Sequence, residues 1–213
     1  AALQLMGTAV AMPVMSRAEK AVQPKKAKFT YCLNLSTIHG QKLGFMSELE
    51  VAAKAGYRSV EIWIDTLHEY LATGGKIAEI KSRLNGLGLQ IENCIAFAKW
   101  VVDDEATRKQ ALEQMKTEMG LVAEIGCKRI AATGMGLTND TTIGLDTIAE
   151  RYRTVLDLGI SMNVIPLLEV WGPQKRLSTA SEAVYSAMQS RGARAKILLD
   201  VFHLYKGNTP LDT

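Results

Sequence analysis

Residues 196–203 are Lys-Ile-Leu-Leu-Asp-Val-Phe-His, an apolar run that ends in an acid and is followed by a histidine. Apolar runs of this length are typical of parallel strands that are buried on both faces. We therefore expect a strand over residues 195–202. Asp200 and His203 would lie at its carboxyl end, where side chains line a cleft and can bind a metal ion or a substrate. The alternative for Asp200 is that its carboxylate caps a following helix.

The same pattern occurs at residues 164–169, Val-Ile-Pro-Leu-Leu-Glu, which are followed by Val-Trp-Gly. We expect Glu169 to face the same cleft as Asp200, with a surface loop as the alternative. Trp171 follows two residues later. Its ring could stack on the face of a sugar or pack at the rim of the core.

A repeating unit surrounds these two runs. A helical pattern, a glycine and a β-rich run recur every 32 to 38 residues, with the glycines at positions 56, 88, 126, 159 and 192. Alternation of this kind predicts βαβ units and a parallel sheet. The predicted strands are 29–37, 58–64, 89–96, 128–133, 163–170 and 195–202. The predicted helices are 44–55, 67–86, 104–125, 143–158 and 178–191.

Two architectures fit six such units, a doubly wound open sheet and a (β/α)8 barrel. The loop after the first strand, residues 36–41, lacks the Gly-rich phosphate fingerprint that is frequent in doubly wound sheets. Polar residues end all six predicted strands, a pattern that favours the barrel; they are Asn34, Glu61, Asn93, Thr133, Glu169 and Asp200. A barrel needs about eight strands, so we expect the C-terminal βα units to be missing.

Three further residues are candidates for substrate binding. Asn34 and Glu61 end predicted strands, and His39 lies in the loop that follows the first strand. Glu61 could instead pair with an arginine near the bottom of the cleft.

The composition excludes several classes of protein. The 213 residues are 47% hydrophobic and 22% charged, which suits one sizeable globular core. The net charge of +3 comes from mixed signs and gives no nucleic-acid footprint. The three cysteines are far apart and lack CxxC spacing, which argues against a disulfide framework or a zinc finger.

Residues 1–27 differ from the rest of the chain. Residues 1–15 are apolar but too short to span a bilayer, and they are similar to the central part of an export signal. A short amphipathic helix packed on the domain is the alternative. We expect residues 1–27 to be an export-signal remnant and linker, residues 28–213 to form the barrel domain, and the protein to be periplasmic or on the cell surface without a membrane span.

Three segments in order resemble the xylose isomerase-like TIM barrels of the sugar phosphate isomerase/epimerase type. They are Ala-Gly-Tyr-Arg-Ser-Val-Glu at 55–61, Leu-Glu at 168–169 and Leu-Asp-Val-Phe-His at 199–203. The resemblance implies that Glu169 and Asp200 bind a divalent metal ion (Mn²⁺, Mg²⁺, Co²⁺ or Zn²⁺) and that Glu169 is also the acid/base. It implies two more ligands, a His and a Glu, from strands beyond Thr213. His203 is implied to contact the substrate.

The function that follows is proton transfer beside the carbonyl of a sugar or sugar phosphate through an enediolate, in a metal-dependent isomerase or epimerase. The expected partner is a small carbohydrate, and assembly into a homo-oligomer stays open. One alternative is a metal-dependent dehydratase of a keto-cyclitol or related compound. Another is a carbohydrate-binding barrel without catalysis. A DNA-repair endonuclease ranks last, because it needs more histidines and a basic face.

Overall fold

The computed structural model describes residues 29–139 and 141–210, and the described residues from Tyr31 onwards belong to one compact unit. Strands and helices alternate along it. In order they are β1 (Cys32–Asn34), α1 (Ser36–His39), α2 (Phe45–Lys54), β2 (Ser59–Trp63), α3 (Ile64–Ala72), α4 (Ile77–Leu87), β3 (Gln90–Ile95), α5 (Glu105–Glu124), β4 (Arg129–Ala132), α6 (Leu145–Ser161), β5 (Ile165–Glu169), α7 (Ala180–Gln189), β6 (Lys196–Leu198) and α8 (Val201–Lys206).

All six strands are parallel and form two three-stranded sheets, β1-β2-β3 and β4-β5-β6. Within each sheet, neighbouring strands follow one another in the chain; for example, Leu33 lies opposite Val60, and Leu168 lies opposite Ile197. A doubly wound sheet would instead place β1 in its interior. The predicted α/β barrel architecture is therefore confirmed, and the described residues contain six strands of the eight that a TIM barrel has.

β3 and β4 are joined by side chains. Among the residues that the structure describes, no backbone ladder connects these two strands. Instead, Arg129 Nε donates a hydrogen bond to the Glu92 carbonyl at 2.7 Å, and its guanidinium pairs with the Glu92 carboxylate. Thr133 Oγ1 donates to the Ala96 carbonyl at 2.9 Å. We call this boundary between the two sheets the β3–β4 seam.

The core lies between the sheets and the helices that follow each strand. The buried face of α5 carries Ala111, Met115, Met119 and Val122. In α6, the buried Tyr152 hydroxyl lies 2.8 Å from the Pro166 carbonyl and 3.0 Å from the Lys196 carbonyl. This residue therefore ties α6 to β5 and β6.

The structure corrects three predicted elements. The single helix expected at 67–86 is two helices, because Gly74 adopts a φ of +95° that ends α3. The strand expected at 195–202 ends at Leu198, because the Asp200 side chain caps α8 and starts a helix within the predicted strand. The strand expected at 29–37 is only Cys32–Asn34, since Ser36 begins α1.

The predicted export-signal remnant, residues 1–27, lies outside the described residues, so that assignment stays a prediction. Within 29–139 and 141–210, no helix combines the length and apolar character that crossing a bilayer requires.

Candidate functional site

A pocket of about 290 Å³ lies at the carboxyl ends of the strands, between side chains of both sheets. Six of the seven predicted site residues line it: Asn34, Glu61, Glu169, Trp171, Asp200 and His203. We call it the Glu169 pocket. A larger pocket, about 460 Å³, lies at the amino ends of β3 and β4. Parallel α/β folds bind ligands at the carboxyl ends of their strands, so the Glu169 pocket is the candidate site.

Glu169 is the last residue of β5 and is buried. Its Oε2 atom has no hydrogen-bond partner among the described residues. Burial is the largest cause that raises the pKa of this carboxyl from 4.5 to about 8, and the negative charges of Glu61 and Asp200 contribute to the same shift. Such a group can gain and lose a proton near neutral pH, or it can bind a cation that neutralises it.

Glu61 is held in place by two amides. Asn34 Nδ2 donates to Glu61 Oε2, and Asn93 Nδ2 donates to Glu61 Oε1 at 2.9 Å. Asn34 is fixed in turn, because its Oδ1 accepts a hydrogen bond from Trp63 Nε1 at 3.1 Å. The amide partners replace the arginine that was one alternative for Glu61. They hold a carboxylate at one side of the pocket.

Asp200 lies at the exposed rim of the pocket and is also the N-cap of α8. Its Oδ1 accepts hydrogen bonds from the backbone N–H groups of Phe202, at 2.7 Å, and His203, at 3.3 Å. Asp200 therefore caps α8, as the alternative interpretation had it, and also lines the pocket. Both bonds engage Oδ1, so Oδ2 is the oxygen that could reach a cation.

Aromatic rings form one wall of the pocket. The ring centroids of Trp63 and Phe97 are 5.1 Å apart, those of Phe97 and Trp171 are 6.1 Å apart, and those of Trp171 and His203 are 5.8 Å apart. Burial lowers the pKa of His203, although the charge of Asp200 acts in the opposite direction. A neutral imidazole among aromatic rings suits the apolar face of a sugar ring.

The sequence analysis missed Trp63 and Phe97. Trp63 follows Glu61 by two residues in β2, and alternate strand residues point to the same side. That alternation could have placed Trp63 beside Glu61. Phe97 lies beyond the end of β3, where the period of the strand no longer predicts direction.

His39 does not line the Glu169 pocket. It ends α1, and its Nδ1 lies 3.3 Å from Glu48 Oε1. The imidazole lines a neighbouring pocket of about 370 Å³, which we call the His39 pocket.

Three carboxylates line the Glu169 pocket, and those of Glu169 and Asp200 are the candidates for a divalent metal ion, because both oxygens of Glu61 already accept hydrogen bonds from Asn34 and Asn93. Carboxylate oxygens are preferred by hard divalent ions, and the unpartnered Oε2 of Glu169 is a buried acceptor that a cation would satisfy. Within the described part of the chain, no three His, Cys, Asp or Glu side chains group closely enough to hold a metal ion. Glu169 and Asp200 thus fit a divalent metal ion as part of its set of ligands.

Comparison with known proteins gives consistent matches. A family model described as xylose isomerase-like TIM barrel matches residues 49–212. A crystal structure of the IOLI protein with a bound zinc atom has a TM-score of 0.78 and 20% identity, over 85% of this chain and 66% of that chain. The probable 3-DHS dehydratase AsbF from Bacillus anthracis gives a TM-score of 0.69 and 18% identity, over 85% and 66% of the two chains. The apo form of 3-keto-D-glucoside 4-epimerase, YcjR, from E. coli gives 0.65 and 18%, over 79% and 66%.

At these identities the structural similarity shows the fold. The chain spans slightly less than two thirds of the length of these three structures. No curated protein sequence matches it significantly.

Proposed function

This chain belongs to the xylose isomerase-like TIM barrel family, and from this premise we propose that it is a divalent-metal-dependent isomerase or epimerase of a small carbohydrate. The observation that carries the proposal is the Glu169 carboxyl, buried at the carboxyl end of β5 with one unpartnered oxygen and a pKa of about 8. A general base works best when its pKa lies near the working pH.

Glu169 would remove the proton from the carbon beside the sugar carbonyl. The electrons of the C–H bond move into a new C–C double bond, and the carbonyl oxygen takes up the negative charge of an enediolate. Return of the proton to the former carbonyl carbon, together with transfer of the proton of the neighbouring hydroxyl to the former carbonyl oxygen, completes an isomerisation. A second acid on the opposite face of the carbon would complete an epimerisation.

Glu169 and Asp200 are the residues that would hold the metal ion, and its positive charge would stabilise the enediolate. Glu61 keeps Glu169 basic through its negative charge, which raises the pKa of Glu169. The aromatic wall formed by Trp63, Phe97, Trp171 and His203 would cover the apolar face of the sugar and exclude water from the reacting carbon.

The first prediction concerns Glu169→Gln in the full-length protein. The change keeps the shape of the side chain but removes a charged metal ligand and the proposed base. We expect Mn²⁺ binding by calorimetry to weaken at least about 100-fold. We also expect the loss of deuterium exchange from D₂O into the carbon beside a keto-sugar carbonyl.

The matched control is Glu113→Gln, since Glu113 is an exposed acid of α5 that does not line the pocket. This variant should match the wild type in both measurements. Unchanged Mn²⁺ affinity in Glu169→Gln would remove Glu169 from the ligand set, and unchanged deuterium exchange would remove it as the base.

A dehydratase is the second candidate, because the chain shares its fold with a probable 3-DHS dehydratase. Both reactions begin with proton removal beside a carbonyl, but a dehydratase then expels a hydroxyl group as water. Mass spectrometry of the product separates them, since isomerisation conserves mass and dehydration loses one water. Sugar binding with no exchange and no product would identify a carbohydrate-binding barrel.

A further inference from the structure

The His39 pocket lies next to the Glu169 pocket and shares two lining residues with it, Ser36 and Trp63. The indole N–H of Trp63 donates to Asn34 in the Glu169 pocket, which fixes the indole at the boundary between the pockets. The two pockets therefore lie on either side of these two side chains.

Glu48 is a buried acid of α2 that lines the His39 pocket, with only 1% of its surface exposed. Its Oε1 lies 3.3 Å from His39 Nδ1, but its Oε2 is buried without a hydrogen-bond partner among the described residues. A buried carboxylate oxygen without a donor is costly. This atom therefore indicates that a ligand donates to it.

The charge of the pocket indicates what kind of ligand this is. Asp65 and Glu69 line it together with Glu48, whereas neither Lys nor Arg is among its lining residues. Three carboxylates and the indole of Trp63 create a negative environment that attracts a cation.

An ammonium group matches this environment better than a metal ion does. No three acidic, His or Cys side chains in the described ranges converge on a metal-sized point. An ammonium group makes longer contacts with its acceptors, about 2.7–2.9 Å against about 2.0–2.6 Å for a metal ion, and it does not need all its acceptors to be carboxylates.

We propose that the His39 pocket binds the ammonium group of an amino sugar whose carbonyl end occupies the Glu169 pocket. This inference rests on the proposed function for the identity of the carbonyl end, but the pocket itself is defined by Glu48, Asp65 and Glu69. It narrows the substrate class from small carbohydrates to amine-bearing ones.

The experiment compares 6-amino-6-deoxyglucose, whose amine lies at the end opposite the carbonyl carbon, with glucose, at neutral pH, by calorimetry on the full-length protein. We expect the amino sugar to bind at least about tenfold more tightly than glucose, as one charge-assisted hydrogen bond provides. Glu48→Gln should abolish this preference, and Asp65→Asn, at an exposed position, should reduce it without disturbing the core. Glu113→Gln should keep it.

Equal affinity for the two sugars in the wild type would overturn the proposal. Retention of the preference in both Glu48→Gln and Asp65→Asn would overturn it as well. Failure of the proposed function is distinguishable, because a preference for 6-amino-6-deoxyglucose that depends on Glu48 stands even where no keto sugar exchanges deuterium.

Discussion

A proton and a cation compete for the Glu169 carboxylate. Burial raises its pKa to about 8, so below that pH the carboxyl is mostly protonated and cannot bind a metal ion. We expect Mn²⁺ affinity to rise about tenfold per pH unit between roughly pH 6 and 8 and to level off above that range. Calorimetry over a pH series measures this rise, and an affinity that is flat below pH 8 would contradict it.

Glu118 is a second buried acid, on α5, and it lies outside the Glu169 pocket. Gln114 Nε2 donates to its Oε1 at 2.8 Å, whereas its Oε2 has no partner among the described residues. Burial raises the pKa of Glu118 above its ordinary value. The buried Glu118 carboxyl therefore does not reduce the free energy of unfolding at a pH where it is protonated in both the folded and the unfolded protein. The protein loses stability as the pH rises through the folded-state pKa of Glu118.

The prediction concerns Glu118→Gln, which removes the ionisation and keeps the size. The variant should be more stable than the wild type at pH 8, and the difference should shrink towards pH 4. Urea denaturation at both pH values provides the measurement. A constant difference at both pH values would show that ionisation of Glu118 is not its cause.

For single residues, the sequence predicted which acids lie at the cleft better than it predicted where each strand ends. Apolar runs that end in an acid predicted Glu169 and Asp200 at one cleft, because strand periodicity is local. The capping role of Asp200 and the missed Phe97 depend on where a strand stops. That point is set by hydrogen bonds to the following helix and loop, which a periodic pattern does not encode.

At the scale of elements, α8 is fixed against the loop that follows β5. A Cβ atom at Gly172 would lie 2.3 Å from the His203 carbonyl and 2.7 Å from the Gly207 nitrogen. Only glycine allows this close approach. The position of α8, which carries Asp200 and His203 at its start, therefore depends on Gly172.

We expect Gly172→Ala to lower stability by about 2–3 kcal/mol through overpacking and to weaken Mn²⁺ binding through displacement of Asp200. The matched control is Gly86→Ala in α4, where an added Cβ meets nothing within 4 Å. This control should gain about 0.5–1 kcal/mol, because alanine favours helix. Thermal unfolding and calorimetry report the two effects, and equal behaviour of the variants would refute the packing argument.

The helices were predicted from their periodic apolar pattern, but one helix boundary was missed. Five helical stretches were predicted between strands, and helices occupy all five. The break between α3 and α4 was missed, although residues 73–76, Thr-Gly-Gly-Lys, contain the signal. Glycine permits a left-handed turn without requiring one, so the periodic apolar pattern on either side dominated the prediction.

At the scale of the molecule, the repeat of helix, glycine and strand predicted a parallel α/β barrel architecture, which the strand order confirms. Parallel neighbours in chain order need only short, right-handed crossovers, so local periodicity determines the topology. The β3–β4 seam was not predictable, because it depends on pairings such as Glu92 with Arg129, which lie far apart in the sequence.

Apolar side chains are exposed on α7 and α8. The most exposed are Met188, Val201 and Tyr205, at 74%, 71% and 71%. Apolar surface of this kind favours association. We expect the chain to self-associate at micromolar concentration, and we expect the double variant Val201→Lys, Tyr205→Lys to reduce that association. Analytical ultracentrifugation distinguishes the species, and a wild-type monomer throughout the concentration range would contradict the expectation.

The β3–β4 seam has a mechanical consequence for the pocket. Glu61 belongs to the first sheet and Glu169 to the second. Backbone ladders make each sheet stiff, whereas side-chain contacts across the seam can shear. Sliding of one sheet along the other would therefore change the gap between the two carboxylates. A ligand that contacts both carboxylates would restrict this sliding. We expect such a ligand to slow the exchange of the amide hydrogens of β4, which lies behind the pocket.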